Sequence, residues 1–273
     1  KSEERGIDKT VEDYTCEIGS TVTYTLEVDV PDYPENAVDK KFIIADYLSK
    51  GLTLDEDSIR IYNYSDTAKD NKGDDITEYF DDYEFGAQYP EEGANPSFAK
   101  SFTGDYSILA SQVIVEYSAT VNEKAVVMES TETENGLDNK AYLIYNNNPY
   151  TGDGYREIPD EERVYTYGIQ VTKTGDENTT LPGAEFTLKL QGGTEELQFI
   201  QEDDGVYRRP LRTDNLSDFT TTLVTDENGL ITIKGLDLGT YILTETKAPD
   251  GYELPSNPEK VIVLADNAGA SGK

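Results

Sequence analysis

The chain has no histidine, no tryptophan and one cysteine, Cys16. Without histidine, Ser-His-Asp and Cys-His nucleophilic sites and His-ligated metal centres are excluded. A lone cysteine cannot close an internal disulfide. With no histidine to activate it, Cys16 is expected to be a free thiol without a catalytic role. Positive charge is also scarce. Against 55 Asp and Glu there are 23 Lys and Arg, so 273 residues carry a formal charge of -32. That deficit argues against nucleic-acid binding, which needs a basic face to neutralise phosphates, and against anionic membrane surfaces. No apolar run has the length of a membrane span or the flanks of a leader, so a cytosolic protein or a trimmed extracellular fragment is expected. The acidic stretch nearest to a calcium loop, AKDNKGDD (68–75), lacks the ligand spacing and closing glutamate of a helix-loop-helix site. No metal and no cofactor are expected.

Helical periodicity is nearly absent, whereas 20 tyrosines and many Thr and Val fall in short alternating runs. TVTYTLEVDVP (21–31) alternates cleanly and is closed by Pro31. KFIIADYLSKGLTL turns at Gly51, SIRIYNY adds a strand, and SQVIVEYSATV and NKAYLIYNNNP alternate again. Residues 65–97 read as long acidic loops with one helical turn near ITEYFDDYEF. YTGDGYREIPDEER reads as a turn-rich surface excursion. From Val164 a second run of strands begins, punctuated by turn signals such as TDENG and LDLG. Strands at short spacing with no intervening helices predict an all-β protein of two tandem immunoglobulin-like β-sandwich domains, 1–163 and 164–273.

Chemistry enters with YILTETKAPDGYELP (241–255). Alternation puts Glu245 on the face of Tyr241 and Leu243, so if that face is the core a carboxylate is buried. In IQVTKT, Lys173 shares a face with Ile169 and Val171; alternatively its stem lies on the core while its amine reaches water. Burial lowers a lysine pKa and raises a carboxyl pKa. A neutral amine is a nucleophile, and a protonated carboxyl can polarise an amide carbonyl. With an Asn side chain beside them, such a pair can form a Lys–Asn isopeptide bond and release ammonia, because the fold supplies the effective concentration.

These residues carry a resemblance. YILTETKAPDGYELP matches every position of the E-box of Gram-positive pilins (Y-x-L-x-E-T-x-A-P-x-G-Y). VTKTGDENTTLPGAEFTL resembles the opening strands of Cna-B-type domains, with Lys173 where the family has its cross-linking lysine. VYTYGIQVTKT looks like the junction between the middle and C-terminal domains of sortase-assembled backbone pilins. The first half resembles a Cna-A-like middle domain. Lys9 in IDKTVEDYTCEIGSTVTYTLEVDVP matches the reactive lysine, Asp46 in FIIADYLSKGLTL the catalytic acid, and Asn139 in LDNKAYLIYNNNP the acceptor, with Asn147 as runner-up. In the second half the resemblance implies Glu245 as the acid for Lys173. Asn267 is the only Asn after Pro258 in this chain; the family's acceptor strand is otherwise expected beyond Lys273.

The resemblance implies a structural shaft subunit, not an enzyme, in a cell-wall-anchored extracellular pilus, with other pilin subunits joined through sortase as its partners. A wall-anchored adhesin or tip subunit binding host surface molecules is the alternative. An acidic carbohydrate-processing enzyme is remote, since no two carboxylates stand at a defined spacing.

Overall fold

A computed structural model describes residues 6–85, 95–127, 136–151 and 154–265. The first half supplies β1 (Ile7–Val11), β2 (Thr21–Asp29), β3 (Phe42–Leu48), β4 (Leu52–Tyr64), β5 (Lys72–Asp75), β6 (Phe80–Asp82), β7 (Phe98–Phe102), β8 (Gln112–Val121), β9 (Leu137–Asn148) and β10 (Gly154–Val164). They form two five-stranded sheets, β1-β2-β8-β4-β5 and β10-β9-β3-β7-β6. The second half supplies β11 (Tyr167–Thr172), β12 (Glu185–Leu190), β13 (Phe199–Asp203), β14 (Val206–Arg208), β15 (Phe219–Thr220), β16 (Leu223–Val224), β17 (Leu230–Leu236), β18 (Gly239–Lys247) and β19 (Glu259–Leu264). Their sheets run β11-β17-β14-β13-β15 and β16-β12-β18-β19. The helical segments among the described residues are single 3₁₀ turns. The architecture is all-β, two β-sandwiches in tandem.

Period-2 alternation decides which side chains face inward. Val22, Tyr24, Leu26 and Val28 of β2 and Val113, Val115, Tyr117, Ala119 and Val121 of β8 meet Phe42 and Ile44 of β3 and Ala141 and Leu143 of β9 in one core. β3 is buried on both faces. Ile43 and Ala45 point the other way, into a smaller cluster with Ala99, Tyr142 and Ile144. A strand covered twice reads as a continuous apolar run, which is why FIIA shows no alternation. The second core joins Ile169, Tyr207, Ile231 and Ile233 to Phe186, Leu188, Tyr241 and Leu243.

Two segments differ from the sequence reading. Residues 65–97 include two short strands, β5 paired with β4 and β6 paired with β7, on either side of a 3₁₀ turn at Thr77–Tyr79. The excursion after Tyr150 is largely strand: β10 pairs antiparallel with β9 along its length. Acidic residues and Pro159 disguised it. An edge strand tolerates both, since one side of its ladder is free and its outer face is wet.

The two sandwiches meet in a hydrogen-bonded seam. Cys16 N–H donates to Tyr165 O at 2.9 Å and Ile18 N–H to Gly235 O at 3.0 Å. Arg209 pairs with Glu17 at 3.1 Å. Gly235 has φ +77°, and a Cβ there would lie 2.5 Å from the Ile18 side chain; only glycine fits the turn and the contact.

Candidate functional site

The centre of the first sandwich is polar. Lys9, Asp46 and Asn139 are each fully buried. Lys9 lies on β1 in phase with Val11, and Asp46 on β3 in phase with Phe42 and Ile44. Asn139 lies on β9 in phase with Ala141 and Leu143, and Asn147 is exposed at the end of the same strand. Asp46 is paired with Ala141 in register, which puts Asn139 diagonally beside it on the same inward face. Lys9 comes from the opposite sheet.

The contacts are tight. Lys9 Nζ donates to Asp46 Oδ2 at 2.5 Å and to the Tyr117 hydroxyl at 2.5 Å. Tyr117 donates to the same Asp46 oxygen at 2.5 Å. Asn139 Nδ2 donates to the Tyr117 hydroxyl at 3.0 Å. Tyr117 thus uses its one donor and both acceptor positions. Above the amine lie two rings: Lys9 Nζ is 5.0 Å from the Tyr24 centroid and 5.2 Å from that of Tyr117. Those rings stack at 5.5 Å. Asp46 Oδ1 and Asn139 Oδ1 are buried with no hydrogen-bond partner.

Burial sets the protonation states. It pushes the Lys9 amine below its ordinary value, against the pull of Asp46, and raises the Asp46 carboxyl despite Lys9 and Tyr117. Both shifts favour the neutral forms, an amine and a carboxylic acid. Burial also raises the Tyr117 phenol well above its usual range.

Sequence reasoning missed Tyr117, Tyr24 and Glu162. Glu162 is buried and stands opposite Asn139 in the β9–β10 register. The signal for Tyr117 was its phase with Val113 and Val115; tyrosine is so common in these strands that one among twenty did not stand out.

The second sandwich holds a looser pair. Tyr241, Leu243 and Glu245 are all buried, so Glu245 faces the core. Lys173 follows β11 and keeps 23% of its side chain exposed; its Nζ meets Glu245 Oε2 at 2.8 Å. Gly229 brings the TDENG turn against it: Lys173 N–H donates to Gly229 O at 2.8 Å, and a Cβ on Gly229 would lie 2.8 Å from Lys173 O. Glu245 Oε1 is buried without a hydrogen-bond partner. No Asn or Gln side chain among the described residues hydrogen-bonds to this pair. Asn267 lies outside the described residues.

Cys16 is a buried free thiol. Burial, with Asp237 and Glu17 nearby, pushes it up to about 12, and its Sγ lies 3.4 Å from Tyr165 O. No group of three or more His, Cys, Asp or Glu poised to hold a metal occurs among the described residues.

Residues 167–271 match the model of the SpaA family, a prealbumin-like fold domain. The chain is 29% identical over 95% of its length to the trypsin-resistant surface T6 protein of Streptococcus pyogenes serotype M6, covering 44% of that protein. It is 27% identical over 96% of its length to fimbrial subunit type 1 of Actinomyces viscosus, covering 54% of it. The chain therefore spans about half the length of these curated relatives. Among solved structures it superposes on the T6 backbone pilin with a TM-score of 0.70 at 25% identity, over 97% of this chain and 52% of that one. The 35 kDa C-terminal fragment of the Streptococcus agalactiae major pilin GBS80 gives a TM-score of 0.65 at 23% identity, over 97% of this chain and 93% of that one.

Proposed function

We propose that this chain, a homologue of the T6 pilin and of a fimbrial subunit, is the middle and C-terminal part of a pilus shaft subunit, strengthened by self-made Lys–Asn isopeptide bonds. It would stand outside the cell, on a wall-anchored pilus, joined to neighbouring subunits by sortase. Its domains would be 1–163 and 164–273. The chemistry acts on the chain itself and occurs once, so it is not turnover.

The observation that carries the reading is the convergence of Lys9, Asp46 and Asn139, from three strands and both sheets, in one fully buried cluster. Lys9, held neutral, attacks Asn139 Cγ. Asp46, held protonated, offers its proton to the Asn139 carbonyl oxygen, so the two partnerless oxygens become donor and acceptor. Polarising the carbonyl lowers the barrier of an otherwise inert amide. The fold holds the reactants together, which replaces a bimolecular encounter by an effective molarity of about 10⁵ M or more. The Lys9 Nζ–Asn139 Cγ bond forms, the Cγ–Nδ2 bond breaks, and ammonia leaves.

Lys173 and Glu245 would play the same parts in the second domain. Asn267 is the acceptor in this chain if it reaches the pair. Intact mass tests the whole scheme. Loss of one ammonia with a Lys9–Asn139 linked peptide is expected, and loss of a second counts for Asn267. Recovery of Lys9 as an ordinary tryptic site would rule the reading out.

A further inference from the structure

The bond-forming reaction must move a proton as well as make a bond. The attacking nitrogen, Lys9 Nζ, becomes positively charged as it joins Asn139 Cγ. The departing nitrogen, Asn139 Nδ2, must gain a proton to leave as ammonia. Asp46 touches Lys9 and Tyr117 through Oδ2, but it makes no hydrogen bond to Asn139 Nδ2. The Tyr117 hydroxyl is hydrogen-bonded to both nitrogens, at 2.5 Å and 3.0 Å.

Resting on the isopeptide reading above, we infer that Tyr117 is a second catalytic residue, a proton relay that carries the proton from Lys9 Nζ to Asn139 Nδ2. In the resting amide, Nδ2 has its lone pair tied up in resonance and can only donate, as it does here to the hydroxyl. Attack at Cγ makes Nδ2 a pyramidal amine with a free lone pair. The hydroxyl then turns its own proton from Asp46 to Nδ2 while taking one from Nζ. One proton leaves Nζ, one arrives at Nδ2, Cγ–Nδ2 breaks, and the phenol ends as it began. No outside acid, base or oxidant is needed.

The ring is fixed for this task. Tyr24 stacks on it, and the Phe98 ring meets it edge-on at 4.9 Å. Its phenol stays protonated across the physiological range because burial and Asp46 oppose the phenolate. A relay needs a group that both gives and takes a proton, and an ionised tyrosine would have none to give.

The test follows ammonia loss by intact mass during cell-free synthesis of the chain, in water and in mixtures with heavy water. Tyr117→Phe keeps the stacked ring and removes the hydroxyl. It should slow bond formation by about 10²-fold or more, with the bond still forming on long incubation because Lys9, Asp46 and Asn139 remain. In the wild type, rate plotted against deuterium fraction should bow, as it does when two protons move together; in Tyr117→Phe it should be linear. Circular dichroism of Lys9→Ala with and without Tyr117→Phe shows whether the substitution leaves the fold intact. A Tyr117→Phe chain that reacts at the wild-type rate overturns the relay and leaves the isopeptide reading standing. A linear plot for the wild type overturns the relay whatever the variant does. A wild-type chain that never loses ammonia overturns both.

Discussion

Replacing Asp46 by Asn is the sharpest perturbation of the first cluster. The carboxamide has nearly the volume of the carboxyl and still accepts from Tyr117, but it cannot act as an acid. No bond should form. A Lys9–Asn139 bond closes a loop of about 130 residues, and by analogy with a disulfide it removes roughly 5 kcal/mol of unfolded-chain freedom. For a unit of this size that corresponds to about 10–20 °C in Tm. Compared above about pH 10.5, where Lys9 is neutral in folded and unfolded chains alike, the exchange of one buried hydrogen-bonding group for another adds only about 1 kcal/mol. Asn139→Ala should therefore fall by a similar amount, and the double variant little further, since a bond can be lost only once. Calorimetry of the three variants, each checked by intact mass, measures this. Their pH dependence separates them. In Asn139→Ala the pair stays neutral when folded, with Lys9 lowered and Asp46 raised. The folded pair then holds one proton, on the carboxyl; the unfolded pair also holds one, on the amine. Between the lowered Lys9 value and the raised Asp46 value the two states hold equal numbers of protons, and the pair contributes no slope. In Asp46→Asn only Lys9 titrates. The unfolded chain binds one proton more than the folded one from the lowered Lys9 value up to about 10.5, so stability should rise with pH by about 1.4 kcal/mol per unit across that window. An Asp46→Asn chain that still loses ammonia, or an unbonded one that melts within a few degrees of wild type, would refute the reasoning.

Where Lys173 carries no isopeptide bond, Glu245→Ala should cost only about 1 kcal/mol, because Lys173 is partly exposed and its amine can turn to water. Lys173 should then react with amine-directed reagents faster than in the wild type; equal reactivity would mean that Glu245 does not hold it. Cys16 should resist alkylation near neutral pH until the chain unfolds, because its thiol is buried and pushed up to about 12. Labelling of the native chain at the rate of a free thiol would contradict that environment.

Much of this was legible in the strands whose faces differ. β2, β8 and β18 alternate, and their alternation placed Glu245 beside Tyr241 and Leu243. β10 was not legible, because an edge strand with a wet face carries the same Glu, Asp and Pro as a loop. Nor was the role of Tyr117. Alternation says which way a side chain points, not which residue of the facing sheet it meets. That depends on how two sheets stack, a long-range relation that no local pattern encodes. The Lys173–Glu245 contact was legible in its motif, and Asn267 lies outside the described residues.

The position of β10 has a mechanical consequence. In a shaft subunit of the kind proposed, a pull would enter before Lys9 and leave past Val164. With Lys9 joined to Asn139, the load crosses at the bond, and everything from β2 to β8 is bypassed. What remains in series is the hairpin from Asn139 to Glu162, two residues that face each other in register. Tension applied at those adjacent ends opens a hairpin one hydrogen-bonded pair at a time, which takes far less force than shearing all pairs together. Fully drawn out, its two dozen residues would add roughly 80 Å. Each subunit would then carry a short reversible spring behind an inextensible link, held shut by β10 lying along β9 and by the donation of Lys9 N–H to Asp160 at 2.8 Å.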